Sequence, residues 1–330
     1  MTKLAKIFIF FCFFLPLTVQ AQKVRYSISP INAESALKEE NIRAQVAWLT
    51  HPENGGRATG TEGARNTAVW LSERFREAGL EPLSGAWLHG FNTSAGMGRN
   101  VMGFLSGSAL PSRYVIVMAH YDNLGILGGT FYPGADANAS GTTALLQLAA
   151  MFQQMRACRK VYSSGLILVA LDAKEKNQAG AEDLWRLIDQ HKLLDPVSGN
   201  PILADQISLV VNLDQLGATL SPITKGHPDY LLMLSEAANG HRATLESENT
   251  TRHIGLELGF DYYGSKDFTN LFYRRVSDQR VFLEHGIPAV MFTSGITFNN
   301  NKPHDDAASL DYGILRKRIQ LIFYYLDRVL

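Results

Sequence analysis

The stretch that decides the fold is Tyr114–Gly141, YVIVMAHYDNLGILGGTFYPGADANASG. It opens with five apolar residues, Val115 to Ala119. That run is too short for a helix and β-branched enough for a buried parallel strand. His120 and Asp122 stand at its end, two residues apart. The chain then passes through glycines to Gly134-Ala-Asp-Ala-Asn-Ala-Ser-Gly141 and enters a helical pattern with Leu145, Leu146, Leu148, Ala149 and Phe152 apolar. In open α/β sheets, ligands bind beyond the carboxyl ends of the strands, so chemistry is expected here. His120 alone reads as a hydrogen-bonded histidine at a strand end. With Asp122 it reads as a metal-ligating imidazole and the carboxylate that orients it. Polar residues at other strand ends decide between the two.

A chain of 330 residues suits one large domain or two small ones. With 46% hydrophobic and 19% charged residues it has an ordinary globular composition. Lysine plus arginine equals aspartate plus glutamate, 31 each, which points to neither nucleic acid nor an anionic membrane as partner. Residues 1–21 predict a secretory signal peptide. Lys3 and Lys6 form its basic region, Ile7 to Leu17 its apolar stretch, and Val19-Gln-Ala21 its cleavage site. The apolar stretch is too short to span a bilayer. Cleavage near Ala21 implies export, to periplasm or medium, and leaves Cys158 alone, so no intramolecular disulfide is expected.

Working outward, helices are expected at Glu34–Leu49, Ala64–Ala78 (closed by Gly79), 142–155, 178–192, 266–284 and Tyr312–Leu330. Strands are expected at Asn100–Leu105, Leu166–Leu171, Ile207–Leu213 and Ala289–Thr293. The segments 51–63, 194–204 and 218–229 read as turns and loops. Alternating strands and helices, without repeats or low-complexity linkers, imply one α/β domain over 22–330, with a mostly parallel central sheet and helices on both faces.

Each strand delivers polar residues at its carboxyl end: Asp172-Ala-Lys174-Glu175, Asn212-Leu-Asp214, and the loop Asn301-Lys-Pro-His304-Asp-Asp306. Singly, each acid reads as a cap or a solvated turn residue. Two histidines and several acids at one sheet edge are what a zinc site needs.

In this order of motifs the sequence resembles the zinc-dependent aminopeptidases with two co-catalytic metals, relatives of glutaminyl cyclases and glutamate carboxypeptidases. The resemblance runs through Gly56-Arg-Ala-Thr-Gly60-Thr, His120-Tyr-Asp122, the Gly134–Gly141 loop, Asn212-Leu-Asp214, Ser277-Asp278, Gly286-Ile-Pro288 and His304, nearly the whole chain after residue 21. It implies the phosphorylase/hydrolase-like zinc exopeptidase fold, up to two zinc ions and a peptide or amino-acid-derived substrate. It also implies that His120 and Asp214 hold one metal, with Asp122 supporting His120, and that Glu175 and His304 hold the other. Two positions depart from the family. Its loop reads Gly-Ala-Asp-Asp-Asn-Ala-Ser-Gly, and the fourth residue, which bridges both metals, is Ala137 here. The general-base glutamate is Lys174 here, and an ammonium cannot take a proton from water. Asp136, one residue early, would bridge only if the loop shifted.

The readings that follow are an exported aminopeptidase with weakened or lost activity, or a non-catalytic relative that binds peptides or another partner through the cleft. A glutaminyl cyclase-like activity is a third, and the aspartate it needs falls at Ala137.

Overall fold

The computed structural model describes residues 28–107, 112–220, 222–236 and 240–330, so the expected signal peptide at 1–21 lies outside it. Among these residues the helices are α1 (Glu39–Leu49), α2 (Glu62–Glu77), α3 (Gly141–Ala157), α4 (Ala179–Asp189), α5 (His241–Thr251), α6 (Lys266–Leu271), α7 (Gln279–Glu284) and α8 (Tyr312–Val329). The strands are β1 (Glu81–Pro82), β2 (Leu88–Thr93), β3 (Gly96–Leu105), β4 (Tyr114–His120), β5 (Gly125–Leu127), β6 (Thr130–Tyr132), β7 (Gly165–Leu171), β8 (Ile207–Leu213), β9 (Tyr230–Ser235), β10 (Glu257–Gly259) and β11 (Ala289–Thr293).

The main sheet runs β1-β3-β7-β4-β8-β11-β9-β10, with β2 paired to β3, while β5 and β6 form a separate hairpin. Its centre, β7-β4-β8-β11, is parallel throughout. All four strands therefore end on one edge, the edge where the sequence places its polar residues. Antiparallel partners flank this centre, β3 against β7 and β9 against β11.

β4 is buried along its whole length. Its alternate side chains serve two cores, as the two-residue strand period requires. Val115, Val117 and Ala119 pack with Leu145, Leu148 and Phe152 of α3 and with Ile319 and Phe323 of α8. Ile116 and Met118 pack on the other face with Leu184 and Ile188 of α4 and Phe282 of α7. A strand covered on both faces has no need of polar alternation, which is why its sequence is a continuous apolar run.

The segment expected as one helix over 266–284 is broken. α6 passes into a π turn at Phe272–Val276, Ser277 is extended (φ −120°, ψ 158°), and α7 starts at Gln279. The cause lies in β8. Ser277 Oγ donates to Asp214 Oδ2 at 2.6 Å and accepts from Asn212 Nδ2 at 3.2 Å. The Gln279 amide takes up the freed carbonyls of Phe272 and Tyr273. The expected helix over 34–49 also divides. A 3₁₀ turn at Pro30–Ala36 precedes α1, and Leu37 between them leaves helical geometry (φ −90°, ψ 87°).

Candidate functional site at the carboxyl edge of the sheet

His120 closes β4 and is fully buried. Its Nδ1 lies 3.1 Å from the Asp122 carbonyl oxygen and 3.4 Å from Asp122 Oδ1, so this nitrogen carries a proton. Its Nε2 faces Asp214 Oδ1 at 3.5 Å. Burial alone would lower the imidazole's pKa. The carboxylates of Asp122 and Asp214 outweigh that and raise it to about 10.

Asp122 does more than orient the histidine. Its two carboxylate oxygens accept the backbone N–H groups of Lys174 and Glu175, both at 3.0 Å. The Lys174–Lys176 turn after β7 is thereby clamped to the end of β4. Asp122 is fully buried. Although burial opposes its charge, His120 and the two N–H groups hold its pKa below the usual carboxylate value.

Lys174 extends its ammonium to Glu175 Oε1 at 3.0 Å. Burial disfavours its charge, but Asp214, Glu175 and Asp278 outweigh burial and push the pKa above the ordinary lysine value. Asp214 is lowered well below the carboxylate range, because His120, Lys174 and the Ser277 hydroxyl overcome its burial. Asp278 behaves oppositely. Both of its carboxylate oxygens are buried without a hydrogen-bond donor among the described residues. Burial raises it to about 7, with Asp214 adding and His120 and Lys174 opposing.

The Ala137 loop is held as a clasp. The Asn138 amide donates to the carbonyls of His120 (3.2 Å) and Leu213 (2.9 Å), while its oxygen accepts from Gly141 N (3.1 Å) and Gln215 N (3.0 Å). This ties the ends of β4 and β8 together. Gly141 is required at this point, since a Cβ there would lie 2.4 Å from Asn138 Oδ1 and 2.5 Å from Leu213 O. Asp136 is committed elsewhere, its Oδ1 accepting from Gly217 N, Ala218 N and Ser140 Oγ at 2.8–3.1 Å. Its Oδ2 is buried without a hydrogen-bond partner among the described residues.

Of the residues singled out in the sequence, the fold therefore brings together His120, Asp122, Lys174, Glu175 and Asp214. His304 is exposed on its loop. Its neighbour Asp305 is the buried member, accepting from the N–H groups of Asp136 (2.8 Å) and Ala137 (3.1 Å). Among the described residues no group of three or more His, Cys, Asp or Glu side chains is placed to hold a metal ion. Two donors do stand ready. His120 Nε2 and Asp214 Oδ1 are buried without hydrogen-bond partners. Their 3.5 Å separation matches the edge of a tetrahedron with metal bonds of about 2.0–2.2 Å. A catalytic zinc has three protein ligands, and the loop position where the resemblance implies a further carboxylate is occupied by Ala137. The residues present do not fit a paired-metal centre.

Beside Lys174 and Asp214 opens a cleft of about 240 Å³, walled by Tyr262, Phe272, Val276 and Ile296. At its base the Gln215 side-chain oxygen is also buried without a donor.

Sequence reasoning missed Arg57, Asn138, Gln215 and Asp278 as site residues. Arg57 is fully buried, and its guanidinium donates to the carbonyls of Leu49, Tyr121, Pro133 and Gly134, bracketing the loop that follows His120. A lone arginine between glycines was the available signal, and its partners are backbone atoms that carry no pattern. Asp278 lay inside a motif already noted, but its approach to Asp214 depends on the broken helix.

Comparison with known proteins agrees with this architecture. The Danio rerio BOS complex subunit ncln is 30% identical over 134 residues, 38% of this chain and 22% of its own length. A Gallus gallus counterpart is matched over 19% of its length, so the chain spans about a fifth of these two relatives. The Escherichia coli protein YfbL is 24% identical over 329 residues, 92% of each chain. Among solved structures, BSAP, a zinc aminopeptidase from Bacillus subtilis, superposes with a TM-score of 0.65 at 13% identity, covering 89% of this chain and 95% of its own. Porphyromonas gingivalis glutaminyl cyclase gives 0.63 at 17% identity, covering 89% and 99%. At such identities the two structures speak for the fold alone. The model of peptidase family M28 matches residues 100–326, more than half of the sequence, and with the strand order and edge site described above the chain belongs to that family.

Proposed function

We propose that this protein is an exported, single-domain member of the family that binds the amino-terminal end of a peptide in its cleft and does not cleave it by a two-metal route. The observation that carries this reading is the Lys174 ammonium, 3.0 Å from Glu175 Oε1, at the position where the resemblance implies a general base. An ammonium offers three donors and no lone pair, so it accepts no proton from water.

What remains is the equipment of a binding site. The wall of the cleft is apolar, and its base presents Asp214 Oδ1 and Gln215 Oε1, acceptors that lack donors. A buried acceptor left unsatisfied costs about 1–3 kcal/mol, so an occupant that brings N–H groups gains affinity there. The α-ammonium and first apolar side chain of a peptide supply both halves of that match.

The test uses labelled peptides with an apolar first residue, free or acetylated at the amino terminus, with zinc present. Binding of the free form, at least about tenfold tighter than the acetylated one (one good hydrogen bond's worth), and recovery of intact peptide are expected. Release of the first residue with steady turnover contradicts the proposal.

A second reading, hydrolysis or glutaminyl cyclisation with one zinc, is favoured by a single observation, the unpartnered pair His120 Nε2 and Asp214 Oδ1 at 3.5 Å. It lacks a third protein ligand and a base.

A further inference from the structure

We propose that Lys174 is the resident cation of this site: its ammonium takes the place of a divalent metal among Asp214, Glu175 and Asp278, so that the lysine and a metal ion exclude one another. The proposal deepens the binding reading and rests on it for the role of the cleft.

The argument is one of charge in a closed space. Asp122, Asp214 and Asp278 are at most 3% exposed, and the Glu175 side chain is 22% exposed. Against these four carboxyl groups stand His120, buried between Asp122 and Asp214, and Lys174, whose side chain is 18% exposed. Buried charges persist only when paired. His120 faces Asp122 and Asp214, and the buried Arg57 guanidinium adds to the charge near Asp122, so the negative charge on the Glu175 and Asp278 side depends on Lys174. In a metal-bearing site of this kind the ion is the largest local charge, and it plays that part. Here the chain carries its own positive charge, on the turn that Asp122 clamps in place. A zinc ion approaching His120 Nε2 and Asp214 Oδ1 would meet the Lys174 ammonium, which is bonded to Glu175 and lines the same cleft as Asp214, and a divalent ion is repelled there twice as strongly as a monovalent ammonium. The charge of the cluster is thus offset without metal, while Asp214 Oδ1 keeps a free lone pair for an N–H donor. Removing the lysine should create a metal requirement.

The experiment compares melting temperatures of the chain after signal removal with those of Lys174→Met and Lys174→Arg, each in chelator and in Zn²⁺ alone. The unaltered chain and Lys174→Arg are expected to melt at the same temperature in both buffers. Lys174→Met is expected to melt about 6–12 °C lower in chelator, with Zn²⁺ restoring at least half of the loss. An unaltered chain that gains from Zn²⁺ as much as Lys174→Met does, or a Lys174→Met that melts normally in chelator, overturns the proposal. Should Lys174→Met fold in neither buffer, calorimetry on the unaltered chain decides. Absence of Zn²⁺ binding supports the proposal, and stoichiometric binding that Asp214→Asn abolishes overturns it. Peptide binding is not read here, so a failure of the binding reading leaves these curves unchanged.

Discussion

Combining Ala137→Asp with Lys174→Glu is expected to raise the hydrolysis of chromogenic amino-acid amides, with zinc supplied, about a hundredfold or more. A positioned general base typically contributes ~10²–10⁴, and Lys174→Glu places a carboxylate where the chain now holds an ammonium. Ala137→Asp adds the acid that the resemblance assigns to that loop position. The two changes depend on each other, because groups that act as a unit are strongly non-additive. Each single change should therefore fall well short of the pair. An unaltered chain that already turns over at the rate of the double variant contradicts the account. A double variant that binds zinc yet remains inactive contradicts the register placed on Ala137 and Lys174.

Asp122→Ala is expected to be the most destabilising single change at the site, at about 3–5 kcal/mol, measured by urea unfolding at neutral pH. It removes the carboxylate beside His120 and leaves the N–H groups of Lys174 and Glu175 without acceptors. The pH dependence fixes its sign. His120 is raised from 6.5 to about 10 in the folded chain, so its contribution is complete below pH 6.5 and is lost as the pH rises toward 10. Asp122 is lowered, so its contribution is present at neutral pH and is lost as the pH falls through its folded value in the acid range. The gap between the unaltered chain and Asp122→Ala should therefore narrow between pH 6.5 and 10, and narrow again in acid. A gap independent of pH would mean that the ion pair with His120 contributes little.

The parallel centre of the fold was legible because β7, β8 and β11 are short apolar runs ending in polar residues, the pattern of strands covered on both faces. β9, Tyr230–Ser235, has the same composition, YLLMLS, and was missed. It follows the segment 222–229, PITKGHPD, whose two prolines and one glycine read as loop. The break between α6 and α7 was not legible, because apolar residues continue at helical spacing through Phe272 and Val276. It is imposed from β8, through the bonds of Ser277 and Gln279. In the site, His120, Asp122, Glu175 and Asp214 could be found because each ends a recognisable strand. The role of Asn138 could not, since its four partners are backbone atoms brought together only by the fold. The two departures, Ala137 and Lys174, were visible in the sequence. What the structure adds is that Asp136 Oδ1 is bonded to the Gly217–Ala218 turn, and that Lys174 is bonded to Glu175.

The central claim is that the cleft works without a metal pair, and zinc stoichiometry tests it most directly. Elemental analysis of the chain, purified after growth in zinc-supplemented medium and dialysed without chelator, is expected to find well under one zinc per molecule, because Lys174 already compensates the acids and Ala137 offers no bridging ligand. Two zinc ions per molecule, both lost in Asp214→Asn, would contradict the account and restore the two-metal peptidase reading.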